Sequence, residues 1–224
     1  LRLDAPWEGA FSIYATVLHD GSKYLMYYRG APDAKGNELV SACYAESDDG
    51  IAWTKPELGL CEVCGTLRNN VIIYANPVAV HNFTPFLDTK PGVPDEQRLK
   101  AVSGIHSLGG LFAWVSADGI RWKKLHDAPI VTYPTFAFDS QNVAFWSESE
   151  ECYVLYFRTW HPSPGAPSKH GLRWVSRVTS TDFINWSAPA EMDPGGAPYE
   201  ELYTQQTHPY FRAPHIYIAM AARF

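Results

Sequence analysis

The sequence predicts an all-β protein of the β-propeller class. Three observations carry this expectation: a seven-residue phrase that recurs at near-constant spacing, a second repeat in register with it, and aromatic-rich runs separated by turn residues. Ser47-Asp48-Asp49-Gly50-Ile51-Ala52-Trp53 returns as Ser116-Ala117-Asp118-Gly119-Ile120-Arg121-Trp122. It returns again, weaker, as Ser180-Thr181-Asp182-Phe183-Ile184-Asn185-Trp186, with Trp-to-Trp steps of 69 and 64 residues. Tyr24-Leu-Met-Tyr27-Tyr28-Arg29 matches Tyr153-Val-Leu-Tyr156-Phe157-Arg158, 129 residues later. A fixed period of this size marks one supersecondary unit copied around an axis or along a solenoid.

Within a unit the elements follow in order. The Tyr-x-x-Tyr-x-Arg runs are short and β-rich and read as second strands. Each follows a turn, His19-Asp20-Gly21-Ser22 in one unit and Ser147 to Glu151 in the other. Each precedes a third strand, Leu39 to Ala45 or Leu172 to Val178, and then comes the Ser-x-Asp turn with its Trp. The Ser and Asp of that turn can satisfy local backbone N–H groups, and Gly50 or Gly119 can take positive φ. The Trp then packs between neighbouring units, so the phrase reads as scaffold. Four antiparallel strands per unit of about 65 residues is a propeller blade.

The units run from about 11 to 60, 77 to 128 and 138 to 189, with a partial fourth over 199–224. The chain is read as a single propeller domain over 1–224. Three and a half blades do not close a ring, and open sheet edges are unfavourable, so the sequence is expected to be part of a longer protein. No helix is expected. Pro162–Pro167 and Pro194–Pro198 read as surface loops.

Composition excludes several partners. Net charge is −6 without a Lys/Arg run, which argues against nucleic acid and anionic membranes. No apolar stretch approaches the roughly 20 residues of a membrane helix, and no signal peptide is visible. The aromatic content, 14% with 8 Trp and 13 Tyr, suits both strands and sugar stacking. Four cysteines stand at 43, 61, 64 and 152. Cys61-Glu-Val-Cys64 has no second pair to complete a zinc site and reads as free thiols, with a local disulfide or redox role as the alternative.

Candidate chemistry lies where the repeats differ. First strands of all blades line the central channel, so their N-terminal ends converge on one mouth. Registering the units by the Tyr-x-x-Tyr-x-Arg match puts Asp139-Ser140-Gln141-Asn142 beside Ala10–Ile13, just after Trp7-Glu8. Unit two offers His81-Asn82 there, and unit four Glu200 to Gln205. Paired carboxylates around a pocket are what glycoside hydrolysis needs. Asp139 is expected to serve as base or nucleophile, Glu201 and then Glu200 as proton donor, and Glu8 to orient the site. His81, Asn82, Gln141, Asn142 and Tyr203 would bind sugar hydroxyls, Trp7 would form a stacking wall, and Arg212 would reach in from a hairpin. Each carboxylate also has a plainer reading as a turn cap. Asp88 falls with Asp20 and Glu148 at the opposite end of the channel, and Arg29 and Arg158 read first as structural ion pairs or caps.

Phosphate loops, the GxSxG elbow and HExxH are absent. The turn is one residue short of the sialidase spacing Ser-x-Asp-x-Gly-x-x-Trp. Pro6-Trp7-Glu8, Cys43 to Gly50 with Trp53, Asn69-Asn70-Val71, Asp139 to Asn142 and Tyr210-Phe-Arg-Ala-Pro-His215 together resemble a bacterial group akin to glycoside hydrolase families 32 and 43. The furanosidase motifs Asn-Asp-Pro-Asn and Arg-Asp-Pro are missing. The resemblance implies a five-bladed propeller, secreted or periplasmic, acting on a plant or algal oligo- or polysaccharide. No cofactor is expected, with a central channel ion left open, and the oligomeric state is not fixed. A non-catalytic carbohydrate-binding propeller and a phosphorolytic relative are the alternatives. The latter needs a cationic phosphate pocket, and the sequence shows no compact basic cluster.

Overall fold

The computed structural model of the chain describes residues 1–9, 14–31 and 40–223. The first repeat forms a four-stranded antiparallel sheet of β1 (Thr16–His19), β2 (Tyr24–Gly30), β3 (Ser41–Ser47) and β4 (Val71–Tyr74), in that order. The second orders β5 (Thr84–Leu87), β6 (Leu99–Ile105), β7 (Gly110–Ser116) and β8 (Lys123–Lys124) the same way. The third does so with β9 (Val143–Ser147), β10 (Cys152–His161), β11 (Leu172–Ser180) and β12 (Ala190–Glu191). Sequential neighbours pair throughout, which is the meander of a propeller blade. A fourth unit holds β13 (Leu202–Tyr203) paired with β16 (Ala222–Arg223), and β14 (His208–Tyr210) paired with β15 (Ala213–Ile218). Pro85 sits in β5, an edge strand that pairs with β6 alone, where a missing N–H is tolerated.

Two local features differ from expectation. The outer strand of the first blade lies beyond Leu60. Thr54 makes one bridge to Glu46, the chain then loops through 55–70, and β4 pairs with β3 only afterwards. Pro56 removes a donor where the strand would continue. The second feature is a single helical turn, α1 (Pro77–Val80), set by Pro77 at its start and by the Asn76 side chain accepting from the Ala79 N–H. No helix of the described residues is long and apolar enough to cross a membrane.

The recurrent phrase builds the same turn three times. Ser47 Oγ accepts the Gly50 N–H at 2.9 Å, Ser116 Oγ that of Gly119 at 2.9 Å and Ser180 Oγ that of Phe183 at 2.9 Å. Asp49, Asp118 and Asp182 each accept two further backbone N–H groups through Oδ1, at 2.7–2.9 Å. The fourth position is left-handed in every copy: φ is 74° at Gly50, 75° at Gly119 and 67° at Phe183. Phe183 tolerates this backbone because its ring is fully buried against Phe86 and Trp186.

Apolar clusters fill the seams. Tyr27, Phe83, Phe112 and Trp114 join the first two blades, and Trp122 meets Tyr27 and Phe83 edge-on at 6.1 and 5.0 Å. Phe86, Leu155, Phe157 and Phe183 join the second and third, with Trp186 against them. Trp53 instead packs on Tyr28, Cys43 and Val71 at the outer flank of the first blade, with Trp7 beside it. Beyond the third blade, β15 leaves Ile216 and Ile218 exposed.

A Cβ added at Gly119 would lie 2.3 Å from the Tyr27 hydroxyl, whereas one at Gly50 meets nothing nearer than 3.4 Å. Gly119→Ala is therefore expected to destabilise by more than the roughly 1–2 kcal/mol that a left-handed backbone costs an L-residue, and by more than Gly50→Ala. Chemical denaturation of both variants checks the order.

Candidate active site

The start of the third blade is held by an unusual backbone lock. Phe138 is fully buried in a left-handed conformation, φ 69°. Its carbonyl accepts the side-chain amides of Asn142 at 3.0 Å and of Asn82 at 3.2 Å. Its N–H donates to the Arg158 carbonyl at 3.0 Å, and the Arg158 N–H donates to Asn142 Oδ1 at 3.2 Å. Asn82 is itself left-handed, φ 56°, a conformation Asn tolerates better than most residues. This lock stitches the entry of the second blade to that of the third and aims the next residue, Asp139, between them.

Asp139 remains 44% exposed while its two neighbours are buried. His81 Nε2 lies 3.6 Å from Oδ1, and Arg158 Nη2 lies 3.5 Å from Oδ2. The His81 imidazole first, and then the positive charges of Arg158 and Arg29, hold the Asp139 carboxyl below its ordinary range against the cost of partial burial. Burial in turn pushes the Arg158 guanidinium down. Both ring nitrogens of His81, Oδ1 of Asn82, and Nε and Nη2 of Arg158 are buried without a hydrogen-bond partner among the described residues. Of these, His81 Nε2 and Arg158 Nη2 face the Asp139 carboxylate at 3.6 and 3.5 Å, so that carboxylate is their charge partner.

The third blade extends one wall over this point. Its central strands β10 and β11 have 10 and 9 residues, against 7 in each central strand of the other blades. The added length pairs Trp160 with Arg173 across the hairpin, and Arg158, two residues before Trp160, shares its face. The Arg158 guanidinium lies over the rings of Trp160 at 4.7 Å and Phe136 at 5.3 Å, and that of Arg173 over Trp160 at 5.4 Å and Tyr203 at 5.8 Å. Phe136, Asp139, Arg158, Trp160, Arg173 and Tyr203 line a cleft of about 300 Å³. Arg173 also holds Glu201 Oε2 at 2.7 Å.

Several expected residues stand elsewhere. Glu8 is fully buried, accepting from Ala5 N–H at 2.8 Å, from Lys55 Nζ at 2.8 Å and from the Tyr28 hydroxyl. It ties the N-terminal segment to the first blade and lines no part of the cleft. Trp7 belongs to the same network, donating to Asn70 Oδ1 at 2.7 Å instead of offering a stacking face. Glu200 pairs with Arg223 and lines a separate cleft of about 510 Å³ on the flank of the third blade, with Trp174 and Tyr217. Glu200 and Glu201 diverge because adjacent residues of an extended chain point to opposite faces. Gln141 is a tie across the channel, donating to Thr16 Oγ1 at 2.7 Å and accepting from Gln206 at 2.7 Å. Arg212 sits between β14 and β15 with its guanidinium over the exposed Phe211 ring. Asp88 is sequestered with Lys100 and the Tyr153 hydroxyl.

Asp139 and Tyr203 line the cleft, His81, Asn82 and Asn142 are buried behind Asp139, and Glu201 is held by Arg173. The Tyr203 hydroxyl also meets that of Tyr14. Ala10–Ile13 lie outside the described residues. Arg173, Trp160 and Phe136 escape sequence reasoning, as no repeat carries them; unequal hairpin length is the available signal for Arg173 and Trp160, and Phe136, before β9, has none. The compact basic cluster missing from the sequence is assembled by the fold from Arg29, Arg158 and Arg173. All four cysteines carry free thiols. Among the described residues no three His, Cys, Asp or Glu side chains converge to hold a metal ion.

By sequence, no family model and no curated protein matches the chain. By structure it resembles glycoside-cleaving propellers. A glycosyl hydrolase from Bacteroides ovatus superposes with TM-score 0.54 at 13% identity, over 88% of this chain and 59% of the other. A thermostable family-43 glycoside hydrolase gives 0.54 at 10%, over 84% and 56%. A third structure belongs to the glycoside hydrolase family 130 of mannoside phosphorylases, which contains hydrolases targeting β-1,2-mannosidic linkages in Candida mannan. It gives 0.52 at 13%, over 82% and 52%. The fold is thus the β-propeller of these proteins, and the chain spans between half and three fifths of their length.

Two outcomes follow from the geometry. His81→Ala should move the Asp139 carboxyl titration upward toward the ordinary range, read by carboxyl-carbon NMR; an unchanged midpoint would contradict the pairing. The sign is that of a depressed acid: Asp139 favours the fold above the ordinary carboxylate range, and that contribution vanishes as pH falls through its folded value. Glu8→Gln should lower the denaturation midpoint while leaving the Asp139 titration unmoved.

Proposed function

We propose that the protein cleaves glycosidic bonds, with Asp139 as the working carboxylate. The observation that carries this reading is one accessible carboxylate, flanked by a buried imidazole and a buried guanidinium, facing an aromatic wall. A carboxyl held below its ordinary range is ionised at neutral pH and suited to attack the anomeric carbon or to activate water. Trp160, Phe136 and Tyr203 offer apolar ring faces of the kind that pack on sugar C–H surfaces. Glu201 is the second carboxylate of the reading and the candidate proton donor; it must leave Arg173 to act. Asn142 and Asn82 set the position of Asp139 through the Phe138 carbonyl. The substrate is a plant or algal oligo- or polysaccharide, met in a secreted or periplasmic setting.

A second reading, phosphorolysis, is favoured by Arg158 and Arg173 standing together in the cleft, since paired guanidiniums suit a phosphate. Incubation with a panel of plant and algal glycans, with and without inorganic phosphate, separates the two. Hydrolysis gives free reducing sugar regardless of phosphate, and phosphorolysis gives sugar 1-phosphate only in its presence. In the leading reading Asp139→Asn lowers the rate by about 10²–10⁴-fold, the span of a general base. Glycan binding that survives Asp139→Asn, with no product on long incubation of either protein, would instead identify a carbohydrate-binding propeller.

A further inference from the structure

We propose that the cleft opens onto a second sugar position at its rim, built from His106, Phe136 and His170, so that the glycan is read over at least two adjacent rings. This deepens the glycosidase reading and rests on it.

The rim is built outward from Phe136, whose ring lines the cleft. That ring also meets two imidazoles from different blades. His170 stacks on it at 5.7 Å with 30° between the planes, and His106 meets it edge-on at 6.2 Å. His170 lies against Trp160 as well, at 5.3 Å. It is not among the six residues that line the cleft, so it continues the aromatic wall past them. The same hairpin of two neighbouring blades, second strand to third, supplies both histidines. The second blade joins its strands through 106–109 and the third through the longer 162–171.

Local structure fixes each ring. His106 opens the turn His106–Leu108, which Gly109 closes in the left-handed region, φ 101°. The His106 N–H donates to the Ala137 carbonyl at 3.4 Å and so ties that turn to the segment that carries Phe136. His170 sits in a turn where the Gly171 N–H donates to the Ser168 carbonyl at 3.0 Å and the His170 N–H to Ser168 Oγ at 3.2 Å. Gly171 has φ 104°, and a Cβ there would lie 2.1 Å from the His161 carbonyl oxygen, so the hairpin closes at this point only with glycine.

The ring contacts occupy imidazole faces and leave the edges. Neither imidazole forms a side-chain hydrogen bond among the described residues, and His170 is exposed. An imidazole edge carries two nitrogens that donate or accept hydrogen bonds. Cover for Phe136 and Trp160 alone would need no such edge, and a phenyl ring would serve. Nitrogen edges set beside apolar rings suit a ligand that combines hydroxyls with C–H faces, which is a sugar. Because His170 stands outside the cleft that holds Asp139, the ring it meets is the neighbour of the one whose bond is cleaved.

The test compares glucose, xylose, mannose and galactose, each with its β-1,4-linked disaccharide, as ligands of Asp139→Asn protein, in which cleavage does not consume them. Binding is read from histidine ring C–H and Trp indole N–H shifts. At least one disaccharide should bind about three- to tenfold more tightly than its monosaccharide, the scale of one hydrogen bond, with the His170 signals moving. His170→Phe keeps the ring contacts and removes the nitrogens. It should erase that gain and leave monosaccharide affinity unchanged, an outcome that lost packing does not produce. If His170→Phe alters the near-ultraviolet circular dichroism, His170→Ala carries the same expectation. A gain that persists in both variants overturns the proposal, as does equal affinity within every pair. Cleavage that needs Asp139 and ignores His170 removes the rim position and leaves the glycosidase. A His170-dependent gain with no product from any glycan removes the glycosidase reading and leaves the rim position.

Discussion

The site depends on one backbone carbonyl. Phe138 O accepts amides from two blades, Asn82 of the second and Asn142 of the third, while Phe138 N–H and Arg158 N–H close the loop to the neighbouring strand. A left-handed residue in a buried position is costly by itself, and here hydrogen bonds over-determine it. The consequence is directional. With Phe138 turned inward to the core, Asp139 turns outward, and the same asparagine that holds Phe138 follows directly on His81. The carboxylate, the imidazole and the guanidinium are thus placed by backbone constraint and do not rely on flexible side-chain reach.

The propeller supplies the frame for that lock. In each of the three blades the third strand ends in a Ser-x-Asp turn whose side chains saturate backbone donors, leaving that strand end with a fixed exit. Aromatic rings then fix the seams between sheets, Trp122 at one and Phe183 with Trp186 at the next. Against this regular frame the third blade departs by having longer central strands, and the departure adds one cation, Arg173, and one ring, Trp160, to a cleft wall that Arg158 already lines. Function on a propeller arises this way: the repeat holds position, and deviation from it supplies chemistry.

That division explains what was legible in the sequence. The turn phrase could be read because its hydrogen bonds are local, between residues two and three apart, so spacing alone specifies them. The register of Asp139 with His81 and Asn82 was legible because the Tyr-x-x-Tyr-x-Arg repeat carries the phase of the blades. Glu8 and Trp7 were misjudged because nearness along the chain to a channel mouth does not say which way a side chain points; only the packing of Tyr28, Lys55 and Asn70 shows that they face inward. Glu200 was misjudged for the same reason, since it and Glu201 point to opposite sides of the segment that enters β13. Arg173 and Trp160 depend on hairpin pairing between residues thirteen apart, a non-local fact without a repeat to mirror it. Arg158 was seen, but only as a structural ion pair; it is an ion pair that also lines the cleft.

The central claim is that the lock at Phe138 directs Asp139 into a glycan-binding cleft walled by Trp160 and Arg173. A crystal structure of the protein soaked with a cleaved oligosaccharide tests it most directly. The account predicts a sugar ring on the Trp160 face with an oxygen within hydrogen-bond distance of Asp139. A ring bound instead in the flank cleft between Trp174 and Tyr217, with the Asp139 cleft holding only water, would contradict it.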